Sequence, residues 1–289
     1  MTPFIYYRPT DLHEAAGLLA DAAATTKLLA GGQSLLLALK DRTLRPARVV
    51  SVASLTGLGG VREQRDGRLD IGATTTYAKL ARATFAGWHA EIAAVAGNLA
   101  DRSVRSLGTI GGAVCHAAPR FDMPTLLTAA GAQMHLLSVA GERSLNANDF
   151  FNPQGGTHMT GAEILTRISV PGVDSLDALA FEKFRFRIFD AAIVSVACAL
   201  KVGSDGKISK ANIVVGALAN APLTAVATAA QLIGRKPREL RAEAIGAEAA
   251  GEVAPFITTQ TLRQRYQSEL VISLTAKAFA RASASVMGA

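Results

Sequence analysis

Cysteine is nearly missing from this sequence: Cys115 and Cys198 are the only two in 289 residues. No CxxC spacing joins them, so the chain alone cannot ligate an iron–sulfur cluster or a zinc ion. Both sit among small apolar residues, where packing is the ordinary role. Long apolar runs are missing as well. None reaches the roughly 18 residues a membrane helix needs, so no transmembrane segment is expected. The opening "MTPFIYYRPTDLHEA" has no basic stretch followed by an apolar one, which argues against a secretory signal and for a cytoplasmic location. Aromatic residues are scarce at 6%, yet apolar residues make up 49% of the chain, a globular composition with a sizeable core. At this length two packed units are the better expectation. The formal charge is +7, but the basic groups ("FEKFRFR", "RQRY", "GRKPRELR") are short and scattered. Such a pattern describes solvated faces or an acidic partner, not a nucleic-acid groove.

The residues that are present suggest an alternation of strands and helices. "RPTDLHEAAGLLAD" offers Asp11 and Glu14 at capping-box spacing, followed by Leu12, Ala15, Ala16 and Leu19 at helical intervals. "TKLLA" and "RVVSVASL" read as strands, "AEIAAVAGNLA" as a helix, and "DRSVRSLGTIGGAVCHAAPRFD" as irregular chain. Pro124 suits the first turn of the helix "PTLLTAAGA". "QMHLLSV" and "EILTRISV" read as strands joined by a long connection, "ANDFFNPQGGTHMTGA". Beyond Pro171, two β-rich runs flank "GSDG" as a hairpin, and helices are expected around "LTAVATAAQLI" and "TLRQRYQSELVISLTAKAFARA". In the last of these, Tyr266, Leu270 and Leu274 recur at the spacing of a buried stripe. The pattern changes near residues 171–177, which sets the expected domain boundary.

Two glycine pairs are the candidates for chemistry: Gly31-Gly32 in "KLLAGGQSLL" and Gly111-Gly112 in "SLGTIGGAV". A residue without Cβ lets successive N–H groups converge on an anion, and Ser34 and Thr109 stand ready with hydroxyl groups. Two such loops could clasp a pyrophosphate. Each could equally be a tight turn. Neither matches GxxxxGK[ST] or GxGxxG, which excludes a P-loop and a Rossmann dinucleotide site.

"KLLAGGQSLL" together with "GTIGGAVCHAAPRFDMPTLL" resembles the FAD-binding medium subunit of molybdenum hydroxylases, the xanthine dehydrogenase and aerobic carbon monoxide dehydrogenase family. "FIYYRPTDLHEAAGLL", "EILTRISVP", "FEKFRFRIFD" and "GALANAPLTAVATAAQLIGRKP" resemble the family in the same order, so the likeness spans nearly the whole chain. It implies an α+β fold. A two-lobed FAD-binding domain of the PCMH or vanillyl-alcohol-oxidase-like type would span residues 1–173, with lobes of about 1–57 and 58–173. A smaller C-terminal α+β domain with an antiparallel sheet would span residues 174–289.

The same resemblance implies that FAD is held by Leu28, Leu29, Ala30, Gly31, Gly32, Gln33, Ser34 and Leu35 in the first segment, and by Thr109, Ile110, Gly111, Gly112 and Ala113 in the second. Ala113 stands where relatives often carry a polar residue, so its contact would come from backbone. Asp122 matches a cofactor-contacting aspartate, and can also be read as the cap of the helix behind it. Leu165 and Lys183 match positions near the isoalloxazine ring, where a positive charge would favour the reduced flavin. Asp190 matches an aspartate that relatives follow with an aromatic residue; here Ala191 follows. His116 and His135 read as loop and strand residues, since no nucleophile or carboxylate pairs with them in the sequence. The implied function is electron transfer within a three-subunit molybdenum hydroxylase, a dimer of heterotrimers. A large molybdopterin subunit and a small subunit with two 2Fe–2S clusters would complete it. A self-sufficient FAD-dependent oxidase or dehydrogenase is the alternative.

Overall fold

The computed structural model describes residues 2–258 and 264–287. Three sheets organise the chain in sequence order. Strands β1 (Ile5–Tyr7), β2 (Thr26–Leu29) and β3 (Arg48–Ser51) form a parallel sheet in the order β1-β3-β2. Strands β4 (Val61–Glu63), β5 (Leu69–Gly72), β6 (Gln133–Ser138), β7 (Gly141–Asn146) and β8 (Ile164–Val170) pair antiparallel in the order β4-β5-β8-β6-β7. Strands β9 (Ala178–Phe184), β10 (Val194–Val202), β11 (Ile208–Gly216) and β12 (Leu223–Thr224) form a second antiparallel sheet, β12-β11-β10-β9. The α+β class follows from this separation of sheets and helices.

The first helix, Leu12–Asp21, shows how local chemistry fixes an element. Asp11 accepts from the Glu14 amide, while Glu14 reaches back to the Thr10 amide at 2.7 Å and to its hydroxyl, one residue earlier than a reciprocal capping box would place it. Ala15, Ala16 and Leu19 then bury against Val50, Val52, Leu55 and Ile164. The β9–β11 strands are apolar on both faces because both are covered. Leu179, Phe181, Ala197, Ala199 and Val214 join the core of the N-terminal region. Ala180, Val196, Cys198 and Val215 pack under the C-terminal helices. Helix Asp122–Ala130 is buried along its entire length and packs on β10 and β11 from the side of the N-terminal core. Asn212 closes its end by donating to the carbonyls of Thr128 and Ala129.

Several elements depart from expectation. The stretch read as irregular holds two helices, Arg102–Leu107 and Ile110–His116. Asp122 does not cap its helix: Phe121 occupies the cap position and Asp122 is the first helical residue. Strands β7 and β9 and helix Ala242–Val253 lie outside the elements expected from the sequence; β7 is a solvated edge strand with almost no apolar alternation, whereas the helix does bury Ile245, Ala249 and Val253 at helical spacing. The last helix runs Gln264–Met287, so the expected start at Thr261 lies outside the described residues. Its buried stripe is Val271, Leu274, Ala278, Phe279 and Ala282. Tyr266 is exposed, which corrects the stripe read from the sequence. By length and composition this helix could cross a bilayer, but here the stripe is spent on the core. Near its end Arg281 pairs with Glu182 (2.9 Å) and Glu91 and donates to the Phe181 carbonyl, while Glu91 accepts from the Phe181 amide. Strand β9 is thereby gripped on both sides of Phe181.

His135, on β6, belongs to a polar network on one face of the five-stranded sheet. Arg167 can only donate, so its contact at 3.2 Å makes Nδ1 of His135 the acceptor and Nε2 the protonated atom. Nε2 then donates to Ser169 Oγ at 2.8 Å, and Ser169 donates to Asp70. The imidazole is already committed and cannot act as a base toward the serine. Burial and the Arg167 charge hold its pKa below the ordinary 6.5. Between its folded value and 6.5 the unfolded chain binds more protons, so acid costs stability there and the contribution is complete above 6.5. Urea-unfolding midpoints should therefore fall from pH 7.5 to pH 5.5 by more in the wild-type chain than in His135→Gln.

Candidate functional site

Strand β2 delivers the chain to Ala30, and Gly32, in the left-handed region at φ +73°, turns it into helix Leu35–Lys40. The amides of Gly32, Gln33, Ser34 and Leu35 form no hydrogen bond among the described residues. They are successive free donors on the wall of a cavity, an arrangement that attracts anionic oxygen. Gly31 is bare for another reason. A Cβ there would stand 2.0 Å from the Leu107 carbonyl oxygen. That close approach brings the first glycine segment against the second.

The second segment differs from expectation. Gly111 and Gly112 lie in the first turn of helix Ile110–His116, and its amides are occupied. Ile110 donates to the Thr75 carbonyl, Gly111 to the Ala73 carbonyl, Gly112 to the Thr109 hydroxyl and Ala113 to the Thr109 carbonyl. The anion nest expected here is therefore absent, and Ala113 has no free N–H to offer. Gly111 is required by packing, since its Cβ would lie 2.5 Å from the Ala73 carbonyl oxygen. Thr109 still offers its hydroxyl proton. The segment is wound tightly at both ends, with Ala100 and Ala117 at positive φ (40° and 47°).

Between these segments and the β9–β10 connection lies a cavity of about 640 Å³, within the range of roughly 300–1,000 Å³ typical of small-molecule sites. Every residue that the resemblance assigns to FAD borders it except Leu29 and Ile110. Ile110 is fully buried in the core, so only its backbone serves the segment. Leu165 contributes both to the core and to the wall. Asp122 and Lys183 meet at one end as a buried ion pair, Nζ on Oδ2, and Lys183 also donates to the Asn98 carbonyl at 3.1 Å. The Lys183 ammonium keeps its charge but shares it with Asp122, so the pair as a whole brings no net charge to the cavity. The second carboxylate oxygen of Asp122, Oδ1, is buried without a partner. Burial pushes the Asp122 carboxyl above the usual range, while Lys183 pulls it back.

Sequence reasoning missed Thr26, Tyr77, Arg120 and Phe189, which also border the cavity. Burial, with the Asp122 charge, pushes the Tyr77 phenol well above its ordinary value. Arg120 donates to the carbonyls of Ala191 and Ala192. No periodicity marks either residue; only the fold collects them. His116 ends its helix, and Cys115 lies 3.6 Å from the Met159 sulfur with its thiol pushed up to about 12 by burial.

A free run of amides, a hydroxyl, an unpartnered carboxylate oxygen and apolar walls could receive an elongated ligand with an anionic middle. The comparisons with known proteins show the class, a cofactor-binding oxidoreductase subunit. Residues 2–173 match the FAD binding domain in molybdopterin dehydrogenase, and residues 179–282 match the CO dehydrogenase flavoprotein C-terminal domain. The chain is 32% identical to the glyceraldehyde dehydrogenase medium chain of Sulfolobus acidocaldarius, over 96% of this chain and 97% of that one. It is 33% identical to the carbon monoxide dehydrogenase medium chain of Afipia carboxidovorans over 80% of each. The structure superposes on carbon monoxide dehydrogenase of Hydrogenophaga pseudoflava with a TM-score of 0.88 and 28% identity, covering 99% of both chains. The chain belongs to the family of FAD-binding medium subunits of molybdenum hydroxylases.

Gly31→Ala and Gly111→Ala should each lower the stability of the flavin-free protein by about 2 kcal/mol or more, the cost of overpacking against fixed backbone; thermal melts of the apoprotein check this. Asp122→Leu should cost about 3–5 kcal/mol by stranding the Lys183 charge, and adding Lys183→Met should recover most of it. Urea unfolding of the single and double variants measures the difference.

Proposed function

We propose that this chain is the electron-transfer flavoprotein of a three-subunit molybdenum hydroxylase, with FAD lying extended in the cavity. The observation that carries this is the conjunction of the free amides of Gly32–Leu35 with the unpartnered Asp122 oxygen on one continuous wall. The amides and the Thr109 hydroxyl would hold the diphosphate, and Asp122 Oδ1 would accept from a hydroxyl or ring N–H of the flavin side. Leu165 and the aliphatic stem of Lys183 would bound the ring. When bound, FAD supplies a carrier that accepts electrons and passes them on. The polypeptide's part is to orient it, exclude water and keep the ring end electrically balanced through the Asp122–Lys183 pair.

With only Cys115 and Cys198, the chain cannot hold a 2Fe–2S cluster, so electrons would arrive from two such clusters on a small partner subunit. A large molybdopterin subunit would oxidise the substrate, and the complex would be a cytoplasmic dimer of heterotrimers. In this reading residues 1–173 form the FAD-binding domain, with lobes meeting near residue 57, and residues 174–289 form the domain that closes the cavity.

Co-expression with both partner subunits should give a yellow complex with one FAD per medium chain. The isolated chain, reconstituted with FAD, should turn over none of the complex's substrates. Turnover by the isolated chain would support a self-sufficient flavin oxidase or dehydrogenase instead, and a colourless complex unable to take up FAD would end the flavin reading altogether.

A further inference from the structure

The connection from β9 to β10 leaves the sheet after Phe184 and rejoins it where Ile193 donates back to the Phe184 carbonyl at 2.8 Å. Residues 185–192 form a strap across the seam between the N-terminal region and the second antiparallel sheet. Apolar packing does little to hold it: Phe186, Ile188 and Phe189 are 62%, 67% and 60% exposed. Inside the strap, Asp190 donates its amide to the Arg187 carbonyl and accepts from the Arg187 amide, closing a turn. At the outgoing end the strap's own Arg185 donates to the Asn98 carbonyl and side chain, at 3.0 and 2.7 Å. At the returning end the hold comes from outside. Arg120 Nε donates to the Ala192 carbonyl at 2.7 Å and Nη2 to the Ala191 carbonyl at 2.8 Å. Arg120 makes no ion pair among the described residues. Its neighbour Pro119 accepts from the Ala217 amide at 3.1 Å, which fixes the base of the fork to the second sheet. Phe189, Asp190 and Ala191 border the cavity, so the strap is part of its wall.

We infer that Arg120 is a positioning residue: its guanidinium fork pins the 185–192 strap as a wall of the cavity, and thereby sets how tightly a bound flavin is retained and how far solvent reaches it. The statement about the flavin rests on the cofactor reading above; the statement about the strap does not. The two carbonyls of consecutive residues match the parallel N–H groups of a guanidinium, whereas a lysine can serve only one of them well. Position 191 itself carries an alanine, whose methyl group can brace nothing across the mouth. The tether supplies the closure that the strap's side chains do not.

The assembled complex is compared with its Arg120→Met and Arg120→Lys variants in two ways. Hydrogen exchange of the 186–192 amides should accelerate about tenfold or more in Arg120→Met and by an intermediate amount in Arg120→Lys. FAD dissociation, followed by the recovery of free-flavin fluorescence on dilution, should accelerate in the same order, and iodide should quench the bound flavin more strongly. A lowered melting temperature with exchange, dissociation and quenching all unchanged would mean a merely structural role and overturn the inference. If Arg120→Met does not fold, the wild-type strap still decides: amides 186–192 exchanging as an unstructured peptide would refute the tether. Altered exchange with no flavin bound to the wild-type complex would leave the tether standing and sink the cofactor reading.

Discussion

The pairing of Asp122 with Lys183 is the constraint around which the site is arranged. It joins the first turn of a completely buried helix to the strand that opens the second antiparallel sheet, across the end of the main cavity. Two desolvated charges are tolerable there only because each neutralises the other and because Asn98 and the helix N-terminus help to solvate them. The pair fixes the relation between the two halves of the cavity wall. It leaves one carboxylate oxygen unspent, and it makes that end of the cavity close to neutral, which neither residue could do alone.

Glycine's part in the site divides into two kinds. At Gly32 a left-handed turn frees four amides, while at Gly31 and Gly111 the missing Cβ admits another stretch of backbone. Both kinds read alike in the sequence. The pairs were legible as places where the backbone must be bare; that Gly31 and Gly111 are bare for packing depended on Leu107 and Ala73, residues distant in the chain and unremarkable in type. The same limit explains Asp122. An aspartate two residues before a proline is a reasonable cap by local rules, and only its burial beside Lys183 reveals a different role.

Much of the fold was legible where local pattern and tertiary demand coincide: the Asp11–Glu14 helix start, the β10–β11 hairpin around "GSDG", and the change of pattern near Pro171. Strand β7 escaped because an edge strand facing solvent on most of its length has no apolar alternation to display. Helix Arg102–Leu107 escaped because it buries no residue. Tyr266 misled because helical spacing identifies a face without saying which side it shows to the core. Family likeness supplied the identity of the cofactor, which no periodicity could have named.

Ala100 and Ala117 stand at either side of the second glycine segment with their backbones turned to the left-handed side, a posture that costs a residue with a Cβ of order 1 kcal/mol. Neither would choose it in isolation. The core holds Ala117, and Arg105 holds Ala100 by donating to its carbonyl, so part of the cavity's shape is borrowed from neighbours that keep two backbones wound like a spring. Loss of either hold would let the corresponding alanine unwind and the cavity wall relax with it.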